Sequence, residues 1–470
     1  MACHETVFEF LHFCLPETEE AIRRGEHPVF EDAIPTEYDA FFYVAHELGV
    51  LDAFTRLPDP RRNAYVPLPA LAVLMVCRFL HCLQSFRRMG EILLRYHPLL
   101  QRIGFAPIAC ERGVYQSKGR RQQKAAGQST QVFDEERFSE VLRLLPWGVL
   151  NVLILEFVQH LRQRHKELFQ RGLFVMDSNH YKVRGTGQEF KWCALMLWTR
   201  KGMIPVWMEF SPVPGDGETT IGRRVLENAL TAYGDGFIKH VLMDAGYIDG
   251  ETLHWLKFEK GIDWTTKARE DMQVSGWMRA QMSDASRGRW RQVDPPKLNC
   301  AKAKLPTRRI LWLENNPFPT YGAKVNGIVI WDHYEADEKH PQGRDEYQYV
   351  ISSDMDAKGG EIHARWRLRW SIENAFGAMT DHWNLGKWQI RDPEVYRATV
   401  QFMALTYGLL VVYLTRKSRP NSLQLMADRF RAQAGRMILV RTDRSCGMLT
   451  SDDLNRWLTT GFMRLNVPGP

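Results

Sequence analysis

The rhythm of apolar and polar positions changes near Arg171. Before it, apolar residues recur at helical spacing. Residues 66–105 read as two helices with a break near Gly90. Residues 134–168 read as helix through Leu142, Leu144, Leu145, Val149, Leu153, Leu155 and Phe157. After Arg171 the apolar residues come in short runs bounded by turns. Leu173–Met176 is a buried-strand pattern ending in Asp177. Phe190–Thr199 and Met203–Val213 form a hairpin pattern around Arg200-Lys201-Gly202. Glu218–Tyr233 is a helix stopped by Gly234 and Gly236. Ile238–Met243 is a fourth strand, ending in Asp244. A helix over Gly250–Lys260 and a strand over Ile262–Lys267 follow. Three strands, a helix, a strand, a helix and a strand predict a mixed α/β sheet with an antiparallel start.

Residues 268–360 interrupt this order. Met272–Arg289 is helical in pattern. Arg308–Glu314, Gly327–Tyr334 and Asp345–Ser353 alternate as strands. Asn315-Asn316-Pro317-Phe318-Pro319 and Asn326-Gly327 read as turns, so the segment is a β-rich insertion. Arg365–Gly377 reads as one helix, with Leu368, Ile372, Ala375 and Met379 on a core-facing stripe. Trp366, Arg369, Trp370, Glu373 and Thr380 gather on another face. Pro393–Arg416 is a long apolar helix, and 421–435 and 450–460 are shorter ones. The organisation expected is a helical N-terminal region (1–168), a core in two parts (169–267 and 361–416), the insertion (268–360) and a C-terminal helical region (417–470).

Composition narrows the function. At 470 residues, 44% hydrophobic and 25% charged, the chain is of soluble globular type and exceeds one domain. A formal charge of +7 tilts its partners towards polyanions. Eight scattered cysteines with no C-x-x-C pair suggest neither a zinc knuckle nor a disulfide framework, which fits a cytoplasmic protein. Met1–Glu20 lacks the basic region of a signal peptide. Val66–Leu83, broken by Pro67, Pro69 and Arg78, is too short to span a bilayer, so no membrane partner is expected. The polar run Lys118–Lys124, with Arg120, Arg121 and Lys124, suits a phosphate backbone; a solvated loop is the plainer reading.

Asp177 and Asp244 each end a strand pattern, and a helix on the same sheet can bring Glu373 to that edge. Three converging carboxylates repel unless cations lie between them, and hard oxygen ligands suit Mg²⁺ or Mn²⁺. Two such ions about 4 Å apart serve phosphoryl transfer. Each acid also has a simpler reading: Asp177 as a cap before Ser178-Asn179, Asp244 as a strand-end turn, Glu373 as the i,i+4 partner of Arg369.

Val175-Met176-Asp177-Ser178, Met243-Asp244-Ala245-Gly246-Tyr247 and Arg369-Trp370-Ser371-Ile372-Glu373 resemble the three signature blocks of bacterial insertion-sequence transposases of the DDE superfamily. The likeness is to the group with a Tyr-Arg-Glu-Lys signature around the glutamate. It covers about residues 171–415. It implies an RNase H-like mixed sheet with flanking helices and a β-rich insertion before the catalytic glutamate. Asp177, Asp244 and Glu373 would be catalytic and hold two Mg²⁺ or Mn²⁺ ions. The activity implied is metal-dependent strand cleavage at element ends, then strand transfer by the 3′-hydroxyl. The partners implied are double-stranded DNA, as terminal inverted repeats and as target, and a second copy of the chain on that DNA. A nuclease without strand transfer and a DNA-binding protein without catalysis remain as alternatives. The match is incomplete: Trp366 stands at the signature's tyrosine and Thr380 at its lysine. Arg369 carries over as a DNA contact, with Arg365, Arg367 and Lys387 nearby as substitutes for the missing pair. The insertion's Trp277, Trp290, Trp312 and Trp331 include candidates for stacking on a flipped base.

Overall fold

The computed structural model describes residues 37–61, 64, 66–96, 99–100, 103, 105, 109–110, 113–114, 131–145, 147–183, 189–211, 217–285, 289–295, 305–336, 340, 342–385, 388, 390–416, 430, 437–441 and 446–450. The chain forms two compact units. One comprises residues 1–164, 181–189 and 377–470; the other comprises 165–180 and 190–376.

The second unit is built on a sheet of order β3-β2-β1-β4-β5-β9-β8-β7-β6. Its first five strands are β1 (Leu173–Lys182), β2 (Glu189–Thr199), β3 (Gly202–Phe210), β4 (His240–Met243) and β5 (Asp263–Ala268). β2 and β3 are antiparallel, with Thr199 opposite Gly202 at the expected hairpin. β1, β4 and β5 run parallel. An antiparallel hairpin leading into a parallel centre is the RNase H-like arrangement. β4 is buried at all four residues between its neighbours, which is why Val241-Leu242-Met243 reads as an apolar run after the buried His240. The helix Glu218–Tyr233 packs on β3 and on the short turn Ala245–Tyr247.

The β-rich insertion extends this same sheet. β9 (Arg344–Ser352) pairs antiparallel with β5, and β8 (Ala323–Tyr334), β7 (Thr307–Phe318) and β6 (Arg291–Val293) follow. Asn326-Gly327 is not a turn, and the reversal expected over Asn315–Pro319 begins only at its last residue. The strand continues through Asn316-Pro317-Phe318 after a bulge between Leu313 and Asn316, and Asn326-Gly327 lies inside β8. Side-chain amides explain this. Asn316 Nδ2 donates to the carbonyls of Leu313 and Val325, and Asn326 Oδ1 accepts the Asn315 N–H. The chain reverses instead at Pro319–Tyr321, with Gly322 at φ 77°.

One face of β7–β9 buries Ile310, Ile328, Ile330 and Val350 against Ile362 and Trp366 of the helix Gly359–Leu368. The segment expected as one helix therefore breaks at Arg369, and a second helix runs Trp370–Trp383. Ile372, Ala375 and Met379 are buried as the stripe predicted. Trp366 (4% exposed) and Arg369 (9%) are buried too, because the first helix turns that face onto the sheet.

The other unit is helical around Pro393–Arg416. That helix packs on Glu37–Glu47, Leu68–Leu80, Glu136–Leu144 and Trp147–Arg164. It is long and apolar enough to cross a membrane, but 94% of its apolar window is buried inside the protein. The break expected near Gly90 falls earlier, at 81–85. There the buried Arg78 closes the loop by donating to the carbonyls of Leu83 and Gln84. Gly90 sits inside the helix Phe86–Ile92. Between the expected helices 421–435 and 450–460, Met437–Arg441 and Cys446–Thr450 form an antiparallel pair. Apart from Phe430 and Thr450, those two helical spans lie outside the described residues.

Candidate active site

β1 is longer than its sequence pattern, but its pairing with β4 ends where that pattern ended. Met176 is the register partner of Met243, so Asp177 and Asp244 are the next residues on two adjacent parallel strands. Strands in a sheet lie about 4.8 Å apart, which sets the two carboxylates side by side. Asp177 Oδ1 accepts the N–H of Ser178 at 2.8 Å.

Glu373 reaches the same place through the helix break. Packing of Trp366 on β7–β9 fixes the end of the first helix, and the Arg369 guanidinium lies 5.0 Å from the Trp366 ring centroid. Arg369 Nη2 is 2.6 Å from Glu373 Oε1, and its Nη1 is 3.9 Å from Asp177 Oδ2. The ordinary i,i+4 ion pair thus forms, and the same arginine reaches the first aspartate.

The electrostatics at Asp177 are set first by burial, with the neighbouring charges acting in both directions. Burial pushes the Asp177 carboxyl up to about 6. The Ser178 N–H and the Arg369 charge pull it down, and the charges of Asp244 and Glu373 push it up again. Both other acids are therefore close enough to act on it. A hard divalent cation fits this donor set: three carboxylates, one of them raised by burial and like charge.

Arg365, a candidate DNA contact, gives Nη1 to Asp354 Oδ2 at 2.5 Å. Lys387, Arg120, Arg121 and Lys124 lie outside the described residues. Trp366, at the signature's tyrosine position, serves the core. Trp370 is 46% exposed one helical turn before Glu373. In the insertion, Trp277 is exposed, Trp290 stands edge-on to Trp331, and Arg309 lies over Trp331 at 5.2 Å.

Sequence reasoning gave no role to Tyr247 or Glu218. Tyr247 shares hydrogen bonds with Ser178 Oγ and Cys193 Sγ. Glu218 lies 3.6 Å from Lys191 and 3.9 Å from His180. The tyrosine in the Asp-x-Gly-Tyr block was the available signal.

A second group of ligand-type atoms, on His240, Asp263 and Asp354, lies within 4.8 Å of one another at the other end of β4. A cation fits it poorly. Asp263 already accepts from Lys257 at 2.7 Å, and Asp354 from Arg365.

Set against known proteins, residues 168–409, just over half of the chain, match the model of the Transposase DDE domain. The chain belongs to that family. No curated protein matches its sequence. Among solved structures it is similar to the piggyBac transposase in a cryo-EM synaptic complex with hairpin DNA. That likeness has 9% identity and a TM-score of 0.42, and covers 93% of this chain and 84% of that one.

Proposed function

We propose that the protein is a DNA transposase that cuts one strand at each end of its element and joins the freed 3′-hydroxyl to target DNA. The observation that supports this most is the meeting of Asp177 and Asp244 on adjacent strands, with Glu373 tied to the first through Arg369. Asp177, Asp244 and Glu373 would hold Mg²⁺ or Mn²⁺. Such ions, when bound, supply activation of the attacking oxygen and stabilisation of the leaving one. The protein's own part is placement. The sheet fixes the two aspartates, and the Trp366-anchored helix presents Glu373. Arg369 neutralises part of the charge that an approaching phosphate would meet.

Arg365, Arg369 and Lys387, with Arg120, Arg121 and Lys124, would contact phosphates and give salt-sensitive affinity. The exposed ring of Trp370, one helical turn before Glu373, suits stacking on an unpaired base. Joining two element ends calls for a homodimer on the DNA, working in the cytoplasm on the nucleoid.

The test is cleavage of a plasmid carrying the element ends, with Mg²⁺. Asp177→Ala, Asp244→Ala and Glu373→Ala should each lower cutting by about a thousandfold or more, since each removes several kcal/mol of metal-borne stabilisation. Cutting that survives all three substitutions removes the active-site assignment. Cutting without joining by the wild type makes the protein a nuclease instead.

A further inference from the structure

We propose that Tyr247 is a positioning residue for the two aspartates, setting the separation of their carboxylates through Ser178. The inference rests on the reading of Asp177, Asp244 and Glu373 as metal ligands.

Tyr247 lies three residues after Asp244 in the turn that follows β4, and its N–H donates to the Asp244 carbonyl at 3.1 Å. It is 2% exposed. Its phenol oxygen shares a hydrogen bond with Ser178 Oγ on β1 and lies 3.6 Å from Cys193 Sγ on β2. One oxygen therefore links the turn after β4 to its neighbour β1 and to β2 beyond it. Ser178 is the residue whose N–H holds Asp177 Oδ1 at 2.8 Å. A short chain of contacts thus runs from Asp244 through its own turn to the phenol, then through Ser178 to Asp177.

Two glycines hold the ring in this position. A Cβ on Gly222 would stand 2.6 Å from the Tyr247 ring and 3.0 Å from the Met176 methyl. A Cβ on Gly246 would stand 1.7 Å from the Glu218 carboxylate. The helix Glu218–Tyr233 closes on the Tyr247 ring because Gly222 lacks a side chain, whereas a side chain at Gly246 would displace the flexible end of Glu218. This accounts for the glycine and the tyrosine of the Asp-x-Gly-Tyr block together. The glycine leaves room for the Glu218 carboxylate, and the tyrosine carries the hydroxyl that joins the two aspartate segments. The phenol touches none of the three carboxylates, so its influence passes through backbone and Ser178. Partners that orient metal ligands typically alter affinity by about 10–100-fold when removed.

The test uses the full chain and two substitutions that keep its packing, Tyr247→Phe and Ser178→Ala, with Mn²⁺ as the probe. Mn²⁺ binding is followed by the electron paramagnetic resonance of the free ion, and folding by circular dichroism and cooperative melting. Both variants should fold and should bind Mn²⁺ about 10–100-fold more weakly than wild type. The double variant should be no weaker than either single one, because each removes the same link. A tyrosine that only fills space would leave Mn²⁺ affinity unchanged in Tyr247→Phe, and that result overturns the proposal. So does a double variant whose loss is the product of the two single losses. If the wild type itself binds no Mn²⁺, the metal reading of the three acids fails first, and this inference falls with it.

Discussion

β4 has carboxylates gathered at both ends, four residues apart along one buried strand. At the His240 end, Asp263 accepts from Lys257 at 2.7 Å and from Ser353 at 2.9 Å. Asp354 accepts from Arg365, whose hydrogen bond and charge outweigh burial and hold the carboxyl below its usual range. Burial first, and then the Arg365 charge, push His240 down to about 4, which keeps the ring neutral. At the Asp244 end, Arg369 reaches Glu373 and Asp177, the Asp244 charge adds to theirs, and Asp177 is pushed up to about 6, chiefly by burial. The residue types are much the same and the strand is shared. One end has its charges matched by the fold and the other does not. A fold that leaves acids unmatched in a half-buried place gives up stability there, and binding a cation recovers it.

The largest effect expected on this contrast is the loss of cutting in the three alanine variants already described. Next comes a matched pair elsewhere in the sheet. Arg308 and Asp332 are cross-strand partners joined by two hydrogen bonds of 2.6 and 2.5 Å, with side chains 10% and 2% exposed. Asp332→Ala should cost about 3–5 kcal/mol in urea unfolding, because it strands a buried guanidinium. A loss under about 1 kcal/mol would show that matched charge matters little in this sheet.

Asp177→Asn should act in the opposite direction. Burial, the largest influence, pushes the folded carboxyl up from its ordinary 3.8 to about 6. Its stabilising contribution is present below pH 3.8 and is lost as the pH rises through about 6. Without metal and above that range, the asparagine variant should be more stable than wild type by about 1–3 kcal/mol. The gap should close on acidification, as followed by melting curves across pH. A less stable variant throughout would remove the claim of surplus charge. The smallest effect is expected at the matched end. Asp354→Ala should cost about 1 kcal/mol, because Arg365 is partly solvated, and should leave Mg²⁺-dependent cutting unchanged.

Much of this was legible in the sequence, for identifiable reasons. The short apolar runs before Asp177 and Asp244 marked two strand ends; that the strands are parallel neighbours came from the β1–β4 pairing, which joins residues far apart in the chain. The stripe through Ile372, Ala375 and Met379 fixed which side of the second helix faces the core. The break at Arg369 was not legible. It arises because Trp366 is drawn into a pocket made by Ile310, Ile328 and Ile330, strands far away in the chain. Asn-Gly looked like a hairpin turn. It is strand instead because the Asn326 amide donates to the Met355 carbonyl and its oxygen accepts from Asn315. Local propensity cannot anticipate a side chain that takes over a backbone hydrogen bond across a bulge. The link from Tyr247 to Ser178 was hidden for a similar reason: it joins residues 69 apart in sequence.

The account turns on which end of β4 takes a divalent ion. Anomalous scattering from crystals grown with Mn²⁺ reads this directly. The prediction is a peak about 2.0–2.3 Å from carboxylate oxygens of Asp177, Asp244 and Glu373, with Arg369 turned away from Glu373. A peak at His240, Asp263 and Asp354 instead, or none at the three acids in saturating Mn²⁺, would contradict it.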